Sequence, residues 1–332
     1  MTRTQICKTN FINGKMVKSN EKVENVNPSD TSDTIGFFDQ CCDVQLSEAI
    51  ESANRAQRTW SKTTSQKRHD VLMNIGQELI SRSSEIGELL SREEGKPLKE
   101  GIGETYRAGQ FFCFYAAQSI RLFGQTADSV RSDIEIDIRR EPLGTIAVIS
   151  PWNFPIATAS WKIAPALAFG NSVVWKPANL TPATATTLAE IVSRQDIPAG
   201  LFNLVMGSGQ TIGYSLVSSP NIDGVTFTGS VDVGRRVAQA AIKNMTKIQL
   251  EMGSKNALVV CSDADIDLAV SCAVSGAFGG TGQKCTASSR LIVEEKVFEE
   301  FQNKLQSTFS NFENILKNEF NNFDIDDDKD SN

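Results

Sequence analysis

The sequence predicts an α/β protein built on a parallel sheet with helices on both faces. The first observation behind this is a rhythm. Between residues 144 and 251 short apolar runs at 145–150, 172–176, 202–206, 224–228 and 247–251 alternate with helical stretches, most of them about ten residues or more. Strands separated by that much chain are parallel neighbours, since antiparallel partners need only a tight turn. The second observation is composition. Forty per cent hydrophobic and 22% charged residues describe a folded soluble chain and exclude wholesale disorder. Its 332 residues suffice for roughly two domains.

Asn13-Gly14 between short β-prone runs predicts a hairpin over residues 9–17. A helix follows at Asp43, with Leu46, Ala49, Ile50, Ala53 and Trp60 on one face. The apolar spacing of Val71, Leu72, Ile75, Leu79, Ile86 and Leu90 predicts one helix over 65–94, stopped by Gly95 and Pro97. A third helix is predicted over 99–124. Residues 133–139 alternate strictly, the pattern of a strand with one wet face. The five strands and their helices come next. Residues 301–332 carry seven acids against three lysines, and are expected to form a short helix fraying into disorder.

Lys plus Arg number 33 and Asp plus Glu 40, a net charge of −7. An acidic chain is a poor ligand for nucleic acid or anionic membranes. With His69 as its one histidine, a His-rich metal site is excluded and no metal is expected. Seven cysteines, an odd number without a Cys-x-x-Cys pair, indicate neither a disulfide framework nor a zinc ribbon. No apolar run reaches membrane-span length, and residues 1–8 lack the apolar core of a signal peptide. The expected compartment is the cytoplasm.

Ligands of parallel sheets bind at the carboxyl ends of the strands, so the residues that follow each strand carry the functional signal. The first strand leads into Ser150-Pro151-Trp152-Asn153-Phe154-Pro155. Asn153 there is either a helix cap or an amide donor aimed at a developing oxyanion. The second leads into Lys176-Pro177-Ala178-Asn179, where the lysine is either a solvated strand end or a ribose or phosphate ligand. The third and fourth lead into Gly207-Ser208-Gly209 and Gly229-Ser230, strand–glycine–helix junctions able to face a pyrophosphate. Glu251-Met252-Gly253 ends the fifth, offering a general base or a surface carboxylate paired with Lys255. Finally, Cys285 sits in Gly279-Gly280-Thr281-Gly282-Gln283-Lys284-Cys285-Thr286, among small residues and beside a lysine. That setting suits a reactive thiolate or an inert loop cysteine, whereas Cys113 and Cys272 sit in apolar patterns expected to bury them.

Taken in order, Pro-Trp-Asn-Phe-Pro (151–155), Lys-Pro (176–177), Phe-Thr-Gly-Ser (227–230), Glu-Met-Gly-Ser-Lys (251–255) and Gly-Gln-Lys-Cys (282–285) resemble the NAD(P)-dependent aldehyde dehydrogenase superfamily, over about residues 9–301. The resemblance implies a Rossmann-type NAD(P)-binding domain over 1–124 and 141–251, an oligomerisation strand segment at 125–140, and a catalytic domain starting over 252–301. It implies Cys285 as nucleophile, Asn153 and the Cys285 backbone N–H as oxyanion donors, and Glu251 as the base that activates water. Ser150, Pro151, Trp152, Lys176, Pro177, Ala178, Asn179, Gly209, Gly229, Ser230 and Met252 would line the cofactor. The semialdehyde enzymes acting on 2,5-dioxopentanoate (2-oxoglutarate semialdehyde) and succinate semialdehyde share its flavour most.

Three departures stand out. Ser254 replaces a usual glycine beside the base. Asn179 stands where strictly NAD-dependent members often carry Glu, so the expected cofactor is NADP or NAD. Only 47 residues follow Cys285, and no Glu-x-Phe-Gly-Pro segment occurs. The expectation is a C-terminally truncated dehydrogenase that lacks the last strand of its family's homo-oligomer. A stretch of about 50 residues after the Cys285 loop is not expected to build its own sheet and core, and the 128–140 strand is expected to lack a partner. The alternative is an inactive remnant that binds dinucleotide or pairs with a full-length subunit.

Overall fold

The computed structural model describes residues 6–323. The chain forms two compact units, Met1–Met252 and Gly253–Asn332.

The first unit opens with β1 (Ile6–Lys8), β2 (Asn10–Ile12), β3 (Lys15–Val17), β4 (Lys22–Val26) and β5 (Thr34–Asp39). β2 and β3 are the predicted hairpin. Asn13 at φ +52° and Gly14 at φ +76° both adopt the left-handed backbone that such a two-residue turn requires. Helices α1 (Asp43–Trp60), α2 (Ser65–Ser81), α3 (Ser83–Glu94) and α4 (Leu98–Ile120) follow, then the hairpin β6 (Gln125–Asp128) and β7 (Glu135–Ile138). The sheet region runs β8 (Thr145–Ile149), α5 (Pro155–Ala168), β9 (Ser172–Lys176), α6 (Pro182–Ser193), β10 (Phe202–Leu204), α7 (Tyr214–Ser218), β11 (Gly224–Gly229), α8 (Val231–Ala241) and β12 (Lys247–Met252).

The main sheet has the order β12-β11-β8-β9-β10-β2-β3. The first five strands are parallel, and the β2–β3 hairpin adds antiparallel to β10. The chain moves outward from β8 through β9 to β10, then returns to place β11 on the other side of β8. The strand order therefore reverses between β8 and β11, the switch point at which such sheets open a crevice. Both faces are covered. Ile146, Val148, Val173 and Trp175 pack with α2 and α5 residues such as Leu72, Ile75, Ile156 and Ile163. Ala147, Val174, Val225 and Phe227 pack with Leu46 and Ile50 of α1 and Val237 of α8.

In the second unit β13 (Asn256–Val260) pairs in parallel with β14 (Ser288–Val293), joined by α9 (Ile266–Phe278) and followed by α10 (Glu295–Phe323). Val260, Ile266, Val270, Ala273 and Phe301 form its core. Asp265 caps α9 by accepting from the Leu268 N–H at 3.0 Å.

Several expectations need correction. The helix predicted over 65–94 is two helices, broken at Arg82 (φ −99°, ψ 14°). The Arg82 guanidinium bonds Glu78 at 2.9 Å and Glu85 at 2.7 Å, holding the break, and each half turns its own apolar stripe inward. Helix α4 stops at Ile120 rather than Gly124, because the next residues lead into β6. The alternating strand is paired, with β6, and within this chain it has no dry face: Ile134, Ile136 and Ile138 are 42–49% exposed. The chain after Cys285 does contribute a strand and a helix to a small core. The acidic segment is helical through Phe323, carried by Phe301 and Leu305 against that core and by an edge-on contact of Phe309 with Phe278. Residues 324–332, the rest of the expected disordered tail, lie outside the described residues. Cys272 is exposed, not buried, since α9 turns Ile266, Ala269, Val270 and Ala273 to the core.

Helices α2 and α4 approach closely because glycines meet at the crossing. A Cβ on Gly109 would stand 2.6 Å from the Gly76 carbonyl, and one on Gly76 would stand 2.7 Å from the Gly109 carbonyl. Backbone cannot yield as a side-chain tip does. Gly109→Ala is therefore expected to destabilise the fold by about 1–3 kcal/mol, despite the better helix propensity of alanine, whereas Gly103→Ala, with open space around it, should be neutral or stabilising. Urea unfolding of both variants checks this.

Candidate active site at the carboxyl edge of the parallel sheet

The register of the sheet brings the first unit's predicted residues to one edge. Ile149 pairs with Lys176 across β8–β9, and Thr228 and Gly229 pair with Glu251 and Met252 across β11–β12. Ser150, Pro151, Trp152 and Asn153 follow β8, and Gly229 ends β11 with Ser230 next, so these two groups flank the switch point. Pro177, Ala178 and Asn179 follow β9, with Asn179 exposed. Gly209 is exposed beyond β10, and a Cβ there would meet nothing within 4 Å.

Lys176 is not a solvated strand end. It is buried, and its ammonium donates to the carbonyls of Pro177 at 2.6 Å and Gly207 at 2.9 Å. Burial pulls its pKa down to about 8. Two of its three hydrogens tie the β9 and β10 loops together, and the third remains for an acceptor such as a hydroxyl. Ser150 turns its hydroxyl inward to accept from the Trp175 indole at 2.9 Å. Ser208 and Ser230 cap the turns that follow β10 and β11, accepting from the Thr211 and Val233 N–H groups at 3.1 and 3.3 Å. Gly229 is held to glycine by packing: a Cβ on it would stand 2.5 Å from the Phe227 ring. The buried Thr228 hydroxyl has no hydrogen-bond partner in the chain. An orphaned hydroxyl beside the switch point, the spare Lys176 hydrogen and open backbone at Gly209 fit a ribose–phosphate ligand.

Asn153 does not cap α5. The N-cap is Phe154, which makes no side-chain cap bond, and Pro155 opens the helix. The Asn153 carbonyl instead accepts from Lys96 Nζ at 2.6 Å. Glu251 is exposed on β12. Its charge reaches Lys162 of α5, a buried lysine that donates to Thr226 Oγ1 at 2.8 Å and Gln249 Oε1 at 3.2 Å. Burial draws the Lys162 pKa down to about 8, while Glu251 pulls it the other way. Sequence reading missed Lys162, although a lone lysine in the apolar run Pro-Ile-Ala-Thr-Ala-Ser-Trp-Lys-Ile-Ala was a signal. It also read the Glu93-Glu94-Gly95-Lys96-Pro97 segment as a helix stop alone.

On the second unit, Cys285 is half-buried between the turn at Gly279–Gly282 and β14. Gly280, Thr281 and Gly282 all take left-handed backbone, at φ +61°, +57° and +70°. Asn256 Nδ2 donates to the Cys285 carbonyl at 2.9 Å, fixing the chain at that residue.

The aldehyde dehydrogenase family profile matches residues 16–321. The chain belongs to the aldehyde dehydrogenase family. It is 41% identical over 298 residues to an alpha-ketoglutaric semialdehyde dehydrogenase of Bacillus subtilis, covering 89% of this chain and 61% of that one. It is also 41% identical over 289 residues to a 2,5-dioxopentanoate dehydrogenase of Saccharolobus solfataricus, covering 86% and 60%. Among solved structures, an NADP-dependent enzyme from Escherichia coli superposes with a TM-score of 0.89 at 35% identity, covering 91% of this chain and 63% of that one. The chain thus spans about three fifths of the length of these dehydrogenases. The α/β fold with its central parallel sheet is that of the family. Among the described residues no helix is long and apolar enough to cross a membrane, and no group of three or more His, Cys, Asp or Glu side chains could hold a metal.

Glu94 offers a test of the electrostatics beneath this edge. Its side chain is buried, its Oε2 has no hydrogen-bond partner, and Lys96 stands 3.9 Å away. Burial raises its carboxyl to about 7. A carboxyl raised in the folded state favours folding below the unfolded pKa, and that contribution is lost as pH climbs from about 4.5 to about 7. Glu94→Gln should therefore gain on the parent by about 1–2 kcal/mol at pH 8 and by little at pH 5, as read by urea unfolding at both pH values.

Proposed function

We propose that this chain carries the chemistry of aldehyde oxidation, converting an aldehyde of the semialdehyde class, such as 2,5-dioxopentanoate, to its carboxylic acid with NAD(P)+. The observation that carries this reading is the placement of Asn153, Lys176, Gly229 and Glu251 on one sheet edge across the switch point. The names of the semialdehyde dehydrogenases it is similar to support the substrate class.

In this reading Cys285 Sγ, as thiolate, attacks the carbonyl carbon and forms a thiohemiacetal. The oxygen that gains charge accepts hydrogen bonds from Asn153 Nδ2 and the Cys285 backbone N–H. The nicotinamide, when bound, supplies the hydride acceptor. The resulting thioester on Cys285 is released by water, whose proton Glu251 takes. Ser150, Pro151, Trp152, Lys176, Pro177, Ala178, Asn179, Gly209, Gly229, Ser230 and Met252 hold the dinucleotide. Residues 1–124 and 141–251 act as the cofactor domain, 125–140 as the oligomerisation segment, and 252–301 as the start of the catalytic domain.

Incubation of the chain with 2,5-dioxopentanoate and NADP+ should produce NADPH, and Cys285→Ala should abolish it. Alkylation at neutral pH followed by peptide mapping should label Cys285 before Cys113. Faster labelling of Cys113 or of the exposed Cys272, or turnover that survives Cys285→Ala, rejects the assignment. Asn179 sets the second expectation. A neutral side chain there spares a 2′-phosphate the repulsion an acid would exert. Asn179→Glu should lower the NADP/NAD affinity ratio by about tenfold, or about 1.4 kcal/mol, in a fluorescence titration. An unchanged ratio shows that position 179 does not read the ribose.

A further inference from the structure

Helices α5 and α6 share an unusual beginning. Each opens with a proline, Pro155 and Pro182, and neither N-cap residue, Phe154 or Thr181, makes a side-chain cap bond. The caps come from elsewhere in the chain. Glu104 of α4 accepts from the Ile156 and Ala157 N–H groups at 3.1 and 3.2 Å. Glu93, in the last turn of α3, accepts from Ala183 and Thr184 N–H at 2.6 and 2.9 Å and from the Thr184 hydroxyl at 2.5 Å. Both glutamates are buried. The two loops they terminate, 150–155 and 176–182, carry the proposed oxyanion residue Asn153 and seven of the proposed cofactor residues, Ser150, Pro151, Trp152, Lys176, Pro177, Ala178 and Asn179.

The α5 end has a second tie. Lys96, buried between α3 and α4, donates to the other Glu104 oxygen at 2.6 Å and to the Asn153 carbonyl at 2.6 Å. Its ammonium also stands 4.2 Å over the Phe154 ring. Residues 153, 154, 156 and 157 are thus gripped by one ion pair. A local Ser or Asp cap would secure the helix start at the surface without burying charge. Burying three ionisable groups is a costly alternative for stability alone, and what it adds is a fixed orientation for the turn.

We propose that the Lys96–Glu104 pair is a positioning device that holds the Asn153 turn in one orientation. The proposal rests on the reading of Asn153 as an oxyanion donor. Lys96 and Glu104 themselves touch neither substrate nor cofactor in this scheme. They act through the backbone of 153 and the first turn of α5.

The test uses the full chain labelled with 5-fluorotryptophan. The chain has four tryptophans, and Trp152, adjacent to Asn153, is assigned by Trp152→Phe. Lys96→Met should shift and broaden the Trp152 fluorine resonance while those of buried Trp60 and Trp175 hold. It should also speed amide exchange of residues 153, 154, 156 and 157 by about tenfold, the factor expected for loss of one strong hydrogen bond. Lys96→Arg, which can donate to the Asn153 carbonyl again, should restore part of both signals. Glu93→Gln, which removes a buried carboxylate under the other loop, should leave Trp152 unmoved. A Trp152 resonance and exchange rate unchanged in Lys96→Met overturn the proposal, as does an equal response in Glu93→Gln. If Lys96→Met fails to fold, Glu104→Gln, which keeps an acceptor for the helix N–H groups but loses the charge, decides by the same two readouts.

Acylation of Cys285 by p-nitrophenyl acetate separates this proposal from the reading beneath it. Asn153→Ala should slow acylation by about 100-fold, and Lys96→Met should slow it in the same direction with little change in the ester's KM. If Asn153→Ala has no effect, or the parent does not acylate, the oxyanion reading fails while Trp152 still decides the clamp. If Asn153→Ala slows acylation and Lys96→Met does not, the positioning role fails on its own.

Discussion

A parallel sheet covered on both faces can meet a polar ligand only at its edges. That constraint organises the first unit. β8, β9 and β10 are buried along nearly their whole length, so their side chains are spent on packing, with Trp175 and Phe202 among the largest fully buried groups. Polar residues gather where the strands stop, and the reversal between β8 and β11 parts the loops there. Even the polar atoms just inside the edge are committed to holding it. Ser150 accepts from Trp175, and Lys176 ties the β9 and β10 loops.

Because the edge is where burial gives way to water, its charges sit at an uneasy depth. Lys162 and Lys176 are pulled down to about 8, and Glu93 and Glu94 are pushed up to about 7, each chiefly by desolvation. Such groups weaken the fold when ionised. The hydrogen bonds of three of them show what is obtained in return: Glu93 joins α3 to α6, Lys162 joins α5 to β11 and β12, and Lys176 joins the β9 and β10 loops. An apolar core aligns layers, but only directional bonds fix the azimuth of a loop.

Much of this was legible in the sequence, for reasons that differ by element. The five strands were visible because strands buried on both faces read as continuous apolar runs. The hairpin at Asn13-Gly14 was visible because few residue pairs accept two left-handed positions. The strand-end residues followed once the topology was in hand. The break at Arg82 was hidden because the apolar period of Val71, Leu72, Ile75 and Leu79 carries on without a proline or glycine into Ile86 and Leu90. The helix expected over the acidic segment proved longer than expected, because Phe301, Leu305 and Phe309 recur at helical spacing. The buried glutamates were hidden for a deeper reason. Glu93 and Glu104 cap helices about 90 and 50 residues away, and nothing local in either sequence window announces a long-range cap. Lone charges in apolar helical surroundings, Lys162 above all, are the trace such networks leave.

The cysteines carry the same reasoning to the chemistry. A thiol is useful as a nucleophile only where its thiolate can form. Burial pushes Cys41 up to about 12 and raises Cys113 as well, so both are held as thiols at neutral pH. Cys42, Cys261 and Cys272 are exposed, and exposure alone leaves a thiol open to solvent without organising anything around it. Cys285 is half-buried, as Cys113 is, but its carbonyl is pinned by Asn256, and three consecutive left-handed residues shape the turn just before it. A side chain at such a place is accessible while its backbone is set, and backbone order is what an oxyanion-binding N–H at the same residue would require. Two of the glycines that make Cys285 conspicuous in the sequence, Gly280 and Gly282, are thus residues that allow the turn.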